Sequence, residues 1–114
     1  MPNELRHRNG EGFSHKFIDA SSSSGAHTEF DLVAPVKDWS LQVATASTDA
    51  IITLDLSLQS SSGATFEPKL TWATTAGQAD GDIVSLTDTP GRMARATLEA
   101  GASSNGASAW VGGV

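Results

Sequence analysis

The chain has 114 residues, no cysteine and a formal net charge of −6, with charged residues making up 18%. That length can bury a core without disulfide or metal staples, and the lack of cysteine excludes a disulfide framework, thiolate metal sites and cysteine nucleophiles. From Phe17 onward four basic residues face eleven acidic ones, which argues against a nucleic-acid-binding module, since phosphate contacts need clustered Lys and Arg.

No apolar run is long enough to span a bilayer. The polar start of the chain shows no apolar h-region, so no signal peptide is expected. Ser, Thr, Ala and Gly dominate and Tyr is absent. Such side chains suit short strands and tight turns better than solvent-exposed helices.

Residues 1–12 are polar, glycine-containing and without periodicity, and read as an extended N-terminal arm ordered by a partner. Residues 1–16 carry Arg6, Arg8 and Lys16 against Glu4 and Glu11, so this end of the chain is weakly basic. The body is expected to span residues 13–114. Its first strand is read at 13–18, and Ser21 to Gly25 forms a turn. From His27 to Val33, Thr28, Phe30 and Leu32 alternate with Glu29 and Asp31, and Pro35 is expected to end the strand. Trp39, Leu41 and Val43 alternate next. The clearest segment is 52–59, where Ile52, Leu54, Leu56 and Leu58 point one way and Asp55 and Ser57 the other. Leu54, Leu56 and Leu58 are therefore expected to be buried, with Asp55 and Ser57 outside. Strands follow at 66–72, where Pro68 signals an edge or bulge, and at 83–86. Further strands are expected at 92–99 and 107–111. The alanines of 94–100 also permit a helix, but the flanking glycines and Thr97 favour a strand. The sum is about eight short strands separated by turns, which is the pattern of an all-β antiparallel sandwich, jelly-roll-like in character.

Few residues invite chemistry. His7, His15 and His27 stand at no HExxH or HxH spacing and are expected to be solvated or interfacial. No Gly-x-Ser-x-Gly elbow supports a nucleophilic triad, and no phosphate-cradling glycine motif is present. Asp80, Asp82 and nearby Asp88 offer oxygen ligands of the kind Ca²⁺ takes, yet Asp-Gly pairs are ordinary turn formers. Trp39, Trp72 and Trp110 are expected to pack in the core or between sheets. The alternatives are a sugar-stacking platform at Trp72 or Trp110, or a subunit interface at Trp110. Arg92 and Arg95, spaced by three on a strand, are expected on opposite faces, one of them available to an interface.

The stretch 38–112 resembles the small β-sandwich virion proteins of tailed bacteriophages. The resemblance rests on Trp39, Gln42 and Val43; on Leu58, Ser61, Gly63 and Phe66; on Pro90, Arg92, Arg95 and Ala96; and on Ala109 and Trp110. The turn Gln-Ser-Ser-Ser-Gly departs from the family pattern, as do Met93 and Ala94 before the second arginine. The resemblance implies a capsid decoration (cement) protein on the outer surface of the virion head. It implies the major capsid protein as partner, a homotrimer as the working form, and neither cofactor nor catalytic group. Arg6, Arg8, Arg92, Arg95 and Trp110 are the expected partner-binding residues. The alternative is a carbohydrate- or receptor-binding module of a tail fibre.

Overall fold

The computed structural model describes residues 3–5, 12–21, 24–59, 63–99 and 106–114. Their strands are β1 (Asn3–Glu4), β2 (Phe13–Ser21), β3 (Gly25–Ala26), β4 (Phe30–Val36), β5 (Trp39–Thr45), β6 (Ile51–Ser57), β7 (Glu67–Ala73), β8 (Ile83–Leu86), β9 (Gly91–Leu98) and β10 (Ala107–Gly113). One sheet runs β1-β4-β9-β6-β7, with β3 beside β9; the other runs β2-β10-β5-β8. Apart from the short parallel pair β1–β4, all pairings are antiparallel. Apart from the hairpin neighbours β6 and β7, which share a sheet, the eight longer strands alternate between the two sheets as in a jelly roll. Fold class and strand pattern are as the sequence leads one to expect.

The core lies between the sheets and follows the period of two. Trp39, Leu41 and Val43 on β5, Ile52, Leu54 and Leu56 on β6, Ala94, Ala96 and Leu98 on β9, and Ala107, Ala109 and Val111 on β10 all point into it. Small side chains on β9 and β10 leave room for Trp39 and Trp72, both fully buried. Each indole N–H donates to a carbonyl, Trp39 to Thr89 at 2.9 Å and Trp72 to Asp82 at 3.0 Å. Both rings thus bury a large apolar area without orphaning their donor. Gly113 is held by close approach: a Cβ there would lie 2.7 Å from both the Asp38 carbonyl oxygen and Val36 Cγ1.

The 52–59 strand is corrected in two respects. Leu58 is 67% exposed, not buried. The ladder of β6 stops at Ser57, opposite Met93, so Leu58 lies past the end of the sandwich. Asp55 and Ser57 do face away from the core, but they are buried too. Asp55 lies under Arg95 and Thr97 of the adjacent β9. Two smaller differences concern prolines: Pro35 sits within β4 rather than ending it, while Pro68 does mark a register shift on edge strand β7.

The arm also differs where it is described. Asn3–Glu4 adds to the sheet beside Phe30 and Asp31, the Leu5 N–H donates to the Asp31 carbonyl at 2.8 Å, and the Leu5 side chain packs against the core. A single leucine supplies an anchor that a search for periodicity passes over.

Candidate functional site

The arginines of β9 meet carboxylates of their own chain. Arg92 Nε donates to Asp31 Oδ1 at 3.2 Å. Arg95 Nε donates to Asp55 Oδ2 at 3.1 Å, and its Nη1 lies 3.7 Å from Glu29 Oε2. The Arg95 guanidinium also sits 4.4 Å from the centre of the Phe66 ring, a cation–π contact. Asp55 accepts further bonds from the hydroxyls of Thr53 and Thr97. A buried carboxylate needs this satisfaction of its lone pairs.

The two arginines do not point to opposite faces. Gly91 and Ala94 both face the core: a Cβ on Gly91 would lie 3.1 Å from Trp39 Cζ2 and 3.3 Å from Leu56 Cβ, and Ala94 belongs to the core cluster. Residues three apart on one face mean that the strand is irregular there. Arg92 and Arg95, each next to one of them, therefore share the outer face. The partner strand is irregular at the same place. β4 shifts register between Asp31 and Val36, and Val33 stands at φ 70°, a strained angle for a β-branched residue. Asp31 Oδ1 steadies the kink by accepting the Val33 N–H at 2.8 Å.

Trp110 lies on the opposite side of the molecule, on the outer face of the β2-β10-β5-β8 sheet. It alternates with buried Ala109 and Val111 and is itself half-buried. Register places it in a row across the sheet: Lys16, Trp110, Gln42 and Ile83. The Lys16 ammonium lies 5.1 Å from the ring centre of Trp110 and 3.3 Å from Asp19 Oδ1. Ile83 is 60% exposed. The next row is small throughout: Ser14, Gly112, Ser40 and Ser85. Unlike the indoles of Trp39 and Trp72, that of Trp110 donates to no described residue. The sequence points to Trp110 as a contact residue but not to Lys16, Gln42 or Ile83 beside it, because their row depends on the register of strands far apart in the chain.

Arg6, Arg8 and His7 lie outside the described residues. Of the expected partner-binding residues that are described, Arg92 and Arg95 share one outer face and Trp110 stands on the other. The aspartates of the 80–88 region are spent on turns. Asp80 Oδ1 accepts the Thr45 N–H at 3.0 Å, Asp82 Oδ2 accepts the Ala79 N–H at 2.8 Å, and Asp88 is separated from both by β8. Among the described residues no three His, Asp or Glu side chains gather as metal ligands would. His15 packs edge-on against Phe30, ring centres 5.0 Å apart.

No family model matches the sequence, and no curated protein resembles it. Solved structures share the fold. The SPBc2 prophage-derived protein YomS is 13% identical, with a TM-score of 0.58 over 90% of each chain. A CBM32 domain of AlyQ, solved in complex with 4,5-unsaturated mannuronic acid, is 19% identical, with a TM-score of 0.50 over 92% of this chain and 78% of that one. At such identities the likeness extends to the β-sandwich alone.

Proposed function

We propose that this chain is a structural protein of a tailed-phage virion, a decoration (cement) protein that binds the outside of the assembled head. The observation that carries this reading is the outer face of the β2-β10-β5-β8 sheet. One of its rows is small throughout, it carries the ion pair Lys16–Asp19, and it offers one half-buried indole whose N–H donates to no described residue. Such a face suits broad, shallow contact with another protein, where an aromatic anchor supplies much of the energy and the small residues around it permit close approach. Cementing needs no catalytic group or cofactor. The shared sandwich of a prophage-derived protein accords with this reading. The major capsid protein is the proposed partner and a homotrimer the proposed working form.

The test is co-sedimentation of the purified chain with undecorated heads and, separately, with tails. Binding to heads is expected, and Trp110→Ala should weaken it by about tenfold or more, as loss of an aromatic anchor does. The same substitution should cost roughly 1 kcal/mol or less of folding stability, because the ring is already partly in water. Binding to tails and not to heads would overturn the reading.

The second reading is a carbohydrate-binding module of a tail fibre, which the sandwich shared with a carbohydrate-binding domain permits. Trp72 is unavailable for stacking because it is fully buried. Trp110 is the remaining candidate, with the Lys16 ammonium against its ring. Quenching of Trp110 fluorescence by oligosaccharides would favour this second reading.

A further inference from the structure

Among the described residues the two sheets end on β1 and β7 and on β2 and β8. An open strand edge invites another strand, and proteins discourage this with charge, proline, bulges or brevity. Three of the edges follow that rule. β7 carries Glu67, Pro68 and Lys69. β2 carries Lys16 and Asp19, and its pairing with β10 is broken by register shifts. β1 is two residues long. β8 is the least guarded, with brevity alone: the four residues Ile83-Val84-Ser85-Leu86 carry no charge and no proline, and their pairing with β5 is unbroken.

Two further features bear on β8. The sandwich is incompletely closed beside it. Val84 and Leu86 face inward opposite Leu41 and Trp39, yet both remain only partly buried, as does Leu70 on neighbouring β7. An added strand would cover them with its inward side chains. Both ends of β8 are also acidic. Asp80 and Asp82 precede it and Asp88 follows it, all exposed. Lys69 and Lys37 each stand within two residues of an acid, Glu67 on β7 and Asp38, so they leave no net positive charge against these aspartates. A second copy of β8 laid antiparallel would bring aspartates against aspartates.

We propose that the free edge of β8 accepts an extended segment of a partner protein, apolar at alternate positions along its centre and basic at its ends. Its backbone would pair with the N–H and C=O groups of β8 that face away from β5. Its central side chains would close over Val84, Leu86 and Leu70, and its basic ends would meet Asp82 and Asp88. This inference goes beyond the assembly reading and stands without it, since the edge is the same whether the partner is a capsid protein or another.

The test uses the intact chain and a synthetic peptide of alternating valine and threonine flanked by lysines, with a glutamate-flanked peptide as its counterpart. Amide hydrogen exchange is followed residue by residue. The lysine-flanked peptide is expected to slow exchange within Ile83–Leu86, and to bind about tenfold or more tightly than the glutamate-flanked one, given the cost of like charges. The preference should shrink in high salt. Ile83→Lys alters an exposed side chain, so the fold should persist while affinity for the lysine-flanked peptide falls. Protection on β2 or β7 instead, no protection at saturating peptide, or equal binding of the two peptides would each overturn the proposal.

Discussion

Trp72→Ala is expected to lower the free energy of unfolding by about 4 kcal/mol, near the upper end of what truncating a core aromatic costs. Trp72 is fully buried and stands opposite Ile52 on β6. Its removal opens a ring-sized void between the sheets. It also releases the Asp82 carbonyl, which the indole N–H holds at 3.0 Å. That bond ties β7 of one sheet to the start of β8 in the other, so the truncation loosens the link between layers as well as the packing. Trp72→Phe separates the two effects. It keeps most of the apolar area and loses the bond, and should cost about 1–2 kcal/mol. Domains of this kind hold about 5–15 kcal/mol in all, so the alanine variant should be near the limit of folding. Urea unfolding followed by circular dichroism reads both variants. An unchanged midpoint for Trp72→Ala would remove this residue from the core.

Asp55→Ala is expected to cost about 3 kcal/mol, the scale of breaking a buried ion pair from one side. Four side chains converge on this carboxylate's neighbourhood: Arg95 and the hydroxyls of Thr53 and Thr97 bond to it, and Phe66 covers Arg95. The Asp55 side chain is 5% exposed and that of Arg95 28%. Without the carboxylate, the guanidinium is left with the longer contact to Glu29 and the face of Phe66, and two hydroxyls lose their acceptor. The double variant with Arg95→Ala should lose less than the sum of the single losses, because the second change removes the stranded charge. Strict additivity in thermal or urea unfolding would show that the two groups act independently. Arg92 should matter less. Its side chain is 37% exposed, and water screens a pair so placed.

The alternation of apolar and polar residues made most strands legible, because each faces the core on one side and something polar on the other. Trp39, Leu41 and Val43, and Ile52, Leu54 and Leu56, lie where the period of two puts them. The period gives the direction of a side chain but not what covers it. Asp55 therefore looked solvated, while the arginine that buries it lies forty positions away. Nor does the period mark its own end: Leu58 continues the pattern after the strand has stopped. Arg92 and Arg95 were misplaced because their strand is irregular beside the kink at Val33. The outward row through Trp110 was not legible at all, since it joins β2, β10, β5 and β8 through register alone.

The pairing of the strands has a kinetic corollary. Phe13 stands opposite Gly113, Phe30 opposite Ala94, Ser40 opposite Ser85 and Ile52 opposite Trp72. All four pairs are centred on the same stretch of chain, the loop between β6 and β7. The molecule is thus one long doubled ribbon, rolled so that successive lengths fall alternately into the two sheets. Although Phe13 and Gly113 are far apart in sequence, they need not find one another across the whole chain. Once β6 and β7 have paired, β5 and β8 are brought near, then β4 and β9, and lastly β2 and β10, so that each closure bridges only the short segments left between. Loop-closure entropy then enters in small increments, and refolding should run faster than the sequence separation of the native contacts alone would give. Pulse-labelled hydrogen exchange during refolding should find β6 and β7 protected first and β2 and β10 last. Early protection of β2 would mean that the ribbon closes from its open end instead.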